Sequence, residues 1–158
     1  MNTLVRPLQA RDKPVWLALF KGYIEFYKAI VSEDVIETLW QRLMRGGEGF
    51  HVALVAVDDA DIPVGLAHVL FHRSTWSNGW YCYLEDLFVD PARRQKGVGR
   101  ALIEAVYAEA DARQCARVYW MTRRPMRRRA RSMIAWQANR RSCNIGDRQV
   151  SDPPGLTS

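Results

Sequence analysis

The sequence predicts an α/β fold in a single domain, with a central sheet flanked by helices. Three observations carry that reading. Runs rich in β-branched and apolar residues at 52–57, 63–72 and 80–89 are bounded by turn residues. Apolar side chains recur at helical spacing over three other segments. The chain has 158 residues, 48% of them hydrophobic and 25% charged, enough to bury one sizeable core.

Taken in order, Thr3–Val5 reads as a short first strand that ends at Pro7. Asp12 stands where a helix N-cap would, with Pro14 in the first turn. Trp16, Phe20, Tyr23 and Tyr27 then form an aromatic stripe on one helix face, a pattern that favours core packing over a substrate wall. A second helix opens at Ser32, carries Glu33 and Asp34 in its first turn, and stops at Gly46, Gly47 and Gly49. Val52–Val57 and Pro63–His72, joined through Asp58–Asp61, predict an antiparallel hairpin. Trp80–Val89 is a further strand, ended by Asp90–Pro91. A helix follows from about Gly99 to Arg113, with Leu102, Val106 and Ala110 on one face, and Arg117–Met121 is the last strand.

Composition narrows the function classes. No apolar run approaches the ~18–20 residues of a membrane span, and no signal-peptide pattern opens the chain, so a cytoplasmic setting is expected. Cys82, Cys115 and Cys143 are odd in number and far apart, which argues against a disulfide scaffold. The net charge of +6 is unevenly placed. Residues 1–122 hold 14 Lys and Arg against 15 Asp and Glu, whereas 123–158 hold nine Arg against Asp147 and Asp152. A basic tail of that kind admits a nucleic-acid role, but its arginines lack interleaved aromatics, so nucleic acid is an unlikely partner. His68 and His72 lack the further ligands a zinc site needs, so no metal is expected.

The chemistry concentrates in Leu84-Glu85-Asp86-Leu87-Phe88-Val89 followed by Arg94-Gln95-Lys96-Gly97-Val98-Gly99-Arg100. This is a strand with an acidic pair, a basic glycine turn and a helix start. Amides at a helix start lack intrahelical acceptors, and the helix dipole adds positive charge, so the turn suits a diphosphate. Gly97 and Gly99 let phosphate oxygens approach the backbone. Arg94, Lys96 and Arg100 add positive charge there.

This segment resembles the acetyl-coenzyme A signature of the GCN5-related N-acetyltransferase (GNAT) superfamily, Arg/Gln-x-x-Gly-x-Gly/Ala, matched here at Arg94, Gly97 and Gly99. Leu-Glu-Asp-Leu-Phe-Val is similar to the central strand of its polyamine-type and small-amine members. The resemblance covers residues 3–122 and implies a mixed, mostly antiparallel sheet flanked by helices. It implies acetyl-coenzyme A as co-substrate and a small-molecule or protein amine as acceptor. Backbone groups of Leu87, Phe88 and Val89 would bond the pantetheine arm, Arg94–Arg100 would hold the pyrophosphate, and the Val89 amide would stabilise the oxyanion. Glu85 is then the carboxylate expected to take the amine's proton, and Asp86, assigned by strand alternation to the opposite face, is the weaker candidate. A catalytically dead acyl-coenzyme A binder is the alternative.

Beyond Thr122 the resemblance ends. The superfamily's coenzyme A-contacting Asn is replaced by Met126, and Tyr119 is the last tyrosine, so the usual proton-donor tyrosine has no counterpart. A change of reading frame near Arg123–Arg124 accounts for this. Joining the third base of each codon from Pro125 to the first two of the next lets synonymous choices spell Asn-Ala-Thr-Ala-Arg-Ala-Leu-Tyr-Asp-Arg-Val-Ala. The Asp and the last Ala are forced by Met133-Ile134 and Trp136-Gln137. The closing hairpin is absent too, and the sheet edge this leaves makes a homodimer a possible partner state.

Overall fold

The computed structural model describes residues 3–46, 51–94 and 97–121. The predicted Arg-rich tail, 123–158, lies outside the described residues, as do Gln95 and Lys96. Five strands form one sheet in sequential order: β1 (Leu4–Pro7), β2 (His51–Val57), β3 (Pro63–Arg73), β4 (Trp80–Val89) and β5 (Arg117–Tyr119). Every pairing is antiparallel except β4 with β5. Helices α1 (Lys13–Phe26) and α2 (Glu33–Arg45) cover one face, and α3 (Val98–Ala112) covers the other. The mixed, mostly antiparallel architecture expected from the sequence is therefore observed.

Strand alternation builds the two cores. Ala53, Val55 and Val57 of β2 and Leu66 of β3 point toward α1 and α2, meeting Trp16, Phe20, Ile36 and Trp40. Leu54, Ala56, Ala67, Val69 and Phe71 point the other way, against Leu102, Val106 and Ala110 of α3. Trp16 is fully buried and lies 5.5 Å from Phe20 and 5.0 Å from Trp40, centroid to centroid. Such aromatic pairs add ~0.5–1.5 kcal/mol each beyond their buried area.

The aromatic stripe serves two purposes along its length. Trp16 and Phe20 are core, Tyr23 is half-buried, and Tyr27 is exposed. Asp12 precedes α1 as predicted, but its side chain does not cap that helix. It accepts from Arg6 at 2.7 and 3.0 Å and from the Gln9 amide at 2.8 Å, because the short 3₁₀ turn Ala10–Asp12 swings it back over β1. Arg6 also bonds Asp61 in the β2–β3 turn, so one guanidinium ties β1, the entry to α1 and that turn together.

Two features of β4 position the site. Its parallel ladder with β5 covers only Tyr81–Tyr83, so among the described residues the edge of β4 from Leu84 to Val89 has no strand beside it. Its antiparallel ladder with β3 pairs Asp86 with His68 but Leu84 with Val69, leaving Glu85 as the extra residue of a β-bulge.

Candidate active site

The bulge reverses the parity of β4. Cys82 and Leu84 face α3 before it, and Leu87 and Val89 face α3 after it. Tyr83 before it stacks on Tyr119 at 4.9 Å on the other side, where Phe88 packs after it. Strict alternation, which puts Asp86 opposite Glu85 and groups Glu85 with Leu87 and Val89, therefore fails here. Asp86 lies on the α1 side, where it contacts His68 Nδ1 at 2.9 Å and its charge acts on Tyr23. Glu85 is exposed, and its charge acts on the same Tyr23 as well as on Asp86. The two carboxylates share one side of the sheet.

Burial and the neighbouring Asp86 charge both push the Glu85 carboxyl above the usual range, burial being the larger effect. Burial first, then Asp86, pushes the Tyr23 hydroxyl well above its ordinary value. Tyr83 and Tyr119, on the same side, are raised mainly by burial. The site is thus partly shielded from water.

Along the open edge, the Asp90 amide donates to the Val64 carbonyl at 3.0 Å, which fixes the phase of the ladder. Phe88 then directs its N–H and C=O to Leu66 on β3, and its ring is buried near Gly22 of α1. The groups turned toward the open side are those of Leu87 and Val89. Of the three predicted pantetheine partners, Phe88 is therefore committed to the sheet. Arg94 Nε donates to the Val89 carbonyl at 3.2 Å, and its guanidinium lies 5.6 Å from the Phe26 ring centroid and 5.7 Å from that of Phe88. A cleft of about 500 Å³ opens beside it, walled by Ala18, Leu19, Gly22 and Phe26 of α1 and by Phe88, with Glu25 and Asp90 at its rim.

Gly97 is the N-cap of α3 with φ +77°, a left-handed conformation that favours glycine, and a Cβ there would meet nothing within 4 Å. Glycine brings no side-chain acceptor, and the first helical bond is donated by Ala101 to the Gly97 carbonyl at 2.9 Å. The Val98 and Gly99 amides precede that bond and so have no acceptor within the helix. The Val98 side chain is buried in the core. α3 begins at Val98, one residue earlier than predicted. Arg100 pairs with Glu104 at 3.0 Å along the helix.

Sequence reasoning missed His68. It is 1% exposed, accepts from Trp16 Nε1 at 2.9 Å and contacts Asp86 at 2.9 Å. The available signal was its parity: on β3 it shares a face with Leu66, where an unpartnered imidazole would be costly.

The short parallel β4–β5 pair, the bulged β4 and the glycine-capped start of α3 lie together as one candidate site. The model of the Acetyltransferase (GNAT) family matches residues 16–135, and the chain belongs to that family. It is 34% identical over 119 residues to a D-amino-acid N-acetyltransferase of Saccharomyces cerevisiae, covering 75% of this chain and 74% of the relative. Among solved structures, a probable acetyltransferase superposes with a TM-score of 0.74 at 19% identity, covering 98% of this chain and 97% of that one. An aminoglycoside acetyltransferase from an uncultured soil metagenomic sample, in complex with sisomicin, gives 0.66 at 16% identity, covering 98% and 96%. These two likenesses show the fold. The chain is an acyltransferase of the GNAT family.

Proposed function

We propose that this acyltransferase moves an acetyl group from acetyl-coenzyme A to a primary amine by direct attack. The observation that carries this reading is the open edge of β4, where Leu87 and Val89 present backbone groups in line with the Val98 and Gly99 amides. The outward N–H and C=O of Leu87 bond the pantetheine arm as an added strand would, while the Val89 amide is kept for the thioester oxygen and its carbonyl accepts from Arg94. The amides at the start of α3 take the diphosphate.

The reacting amine sits on the acidic side of the bulge. Glu85 takes its proton, directly or through water, and a carboxyl whose pKa is raised above the usual range is the better matched base. The nitrogen lone pair then forms the C–N bond at the thioester carbonyl, and the Val89 amide donates to the resulting oxyanion. Collapse breaks the C–S bond, and the second proton of the now positively charged nitrogen passes through water to the departing thiolate, leaving the neutral amide and coenzyme A thiol. The yeast relative's name supports an amine acceptor. Free Cys82, whose thiol burial pushes up to about 12, and free Cys115 favour a reducing, cytoplasmic setting. Among the described residues no helix is long and apolar enough to cross a membrane.

The test is thiol release from acetyl-coenzyme A by the full chain across a panel of primary amines, with the acetylated product identified by mass. Amine-dependent release with a matching N-acetyl product is expected. Thiol release that no amine stimulates would overturn the reading.

A further inference from the structure

Trp16, His68 and Asp86 form a hydrogen-bonded chain whose direction is fixed by chemistry. An indole N–H can only donate. Trp16 Nε1 lies 2.9 Å from His68 Nε2, so that nitrogen is the bare acceptor and the imidazole proton resides on Nδ1. Nδ1–H then donates to Asp86 Oδ2 at 2.9 Å. A carboxylate at that distance favours a charged imidazole. The indole opposes it, because a doubly protonated ring would turn an N–H against the indole N–H. With Trp16 fully buried and His68 1% exposed, neither group can turn to water instead. His68 is therefore neutral.

The bulge gives that neutrality a consequence. It sets Glu85 and Asp86 on one side of the sheet, where the Asp86 charge acts on Glu85. A proton on His68 would cancel the charge of Asp86, its ion-pair partner, and would act on Glu85 in the opposite sense. Other titratable groups face the pair from each element packed around it. Tyr23 of α1 and Tyr83 of β4 feel both carboxylates and hold their protons above the ordinary range. Tyr27 packs on Tyr23, and Tyr119 of β5 stacks on Tyr83. His51 of β2, within reach of His68 and Asp86, is pushed toward its neutral form by burial and then by Arg42 of α2. We propose that Trp16 and His68 are positioning residues for the base: the indole keeps the imidazole neutral, and the neutral imidazole fixes Asp86 while leaving its whole charge to act on Glu85. This rests on the reading of Glu85 as base. Trp16, which has no proton to exchange, thereby sets the pH at which the enzyme turns over.

The experiment reads both groups on the full chain by nuclear magnetic resonance. Long-range proton–nitrogen spectra of the wild type should show His68 protonated at Nδ1 alone throughout the range in which Glu85 titrates. A second ring proton in that range overturns the proposal, and this arm needs no variant to fold. The Glu85 carboxyl carbon, assigned by its loss in Glu85→Gln, gives the midpoint of that carboxyl. Trp16→Phe leaves Nε2 free to take a proton, so the midpoint falls by roughly 0.5–1 pH unit, the scale of one neighbouring charge, and the acidic limb of kcat/KM moves with it. His68→Asn keeps an amide N–H for Asp86 and cannot become a cation, so adding Trp16→Phe to it leaves the midpoint where it was. A merely structural role for Trp16 predicts the same shift in both backgrounds, in step with the melting temperatures. That outcome, or a Trp16→Phe midpoint no lower than the wild type's, overturns the proposal. If the rate does not follow the Glu85 midpoint, the reading of Glu85 as base falls, and the carboxyl titration still decides whether Trp16 and His68 govern its charge.

Discussion

Gly65 holds β3 against the turn that starts α3, and replacing it tests how tightly the sheet sets that helix. A Cβ at position 65 would lie 3.0 Å from the Phe88 carbonyl oxygen, 3.2 Å from Leu102 Cδ1 and 3.3 Å from Val98 Cγ1. The Phe88 carbonyl is fixed in the β3–β4 ladder and cannot yield cheaply. The strain must pass into α3, through Val98 and Leu102. Overpacking of this kind costs ~1–3 kcal/mol, offset by about 0.4–1 kcal/mol from the smaller entropy of an unfolded chain without glycine. A net loss of roughly 1–2 kcal/mol lowers the melting temperature by about 2–8 °C for a chain of this size. Because Val98 provides one of the amides at the helix start, Gly65→Ala should also raise the KM for acetyl-coenzyme A more than that for the amine. Gly99→Ala is the control for stability alone, since its Cβ would make only an ordinary 3.8 Å contact with Val89. Thermal unfolding followed by circular dichroism, with initial rates at varied acetyl-coenzyme A, reads both effects. A Gly65→Ala protein as stable as the wild type with an unchanged KM would refute the reasoning.

Three further outcomes follow from the same geometry. A base must be unprotonated to act, so kcat/KM falls as pH drops through the raised pKa of Glu85; Glu85→Gln should cut kcat by ~10²–10⁴ and remove that limb, while Asp86→Asn, lifting one cause of the shift, should move it to lower pH. An unchanged profile in both variants would exclude Glu85 as the base. The Arg6 guanidinium holds Asp12 below the usual carboxylate range, so its stabilisation is present above an unfolded-state pKa of ~3.9 and is lost as pH falls below it. Asp12→Asn should cost about 1–3 kcal/mol near neutral pH, and its melting-temperature gap to the wild type should close in acid; a gap independent of pH would contradict this. The resemblance implies a proton-donor tyrosine beyond Tyr119 that the sequence does not carry, so turnover should be ~10²–10⁴ slower than when the Asn-to-Ala motif of the alternative frame is placed at 125–137. Equal turnover, or coding DNA without that motif, would dismiss the frame change.

Much of the fold is legible in the residues because each element carries its own local signal. The strand 80–89 was bounded by Gly79 before it and Asp90–Pro91 after it, and the structure ends it at the same places. The 52–72 hairpin and the 33–45 helix follow equally from turn residues and first-turn acids. The glycine turn was readable because backbone chemistry there depends on residue type. What escaped were consequences of register. A bulge at Glu85 needs no glycine or proline, so nothing in Tyr83-Leu84-Glu85-Asp86-Leu87 marks the reversal of faces. Asp12 looks like a helix cap until the fold brings Arg6 over it. His68 gained a role only once β3 was paired with β4 and α1 packed across both, joining residues 52 and 18 positions apart.

The account rests most directly on the amides of Val98 and Gly99 receiving a diphosphate at the end of the open β4 edge. Calorimetric titration of the full chain with coenzyme A and, separately, with pantetheine reads that contribution together with the adenosine's, and a change at Gly97 separates the two. The account predicts that coenzyme A binds at least about tenfold more tightly, and that Gly97→Val, which forces a β-branched residue into a left-handed conformation, removes most of the difference. Equal affinity for the two ligands, or a difference untouched by Gly97→Val, would contradict it.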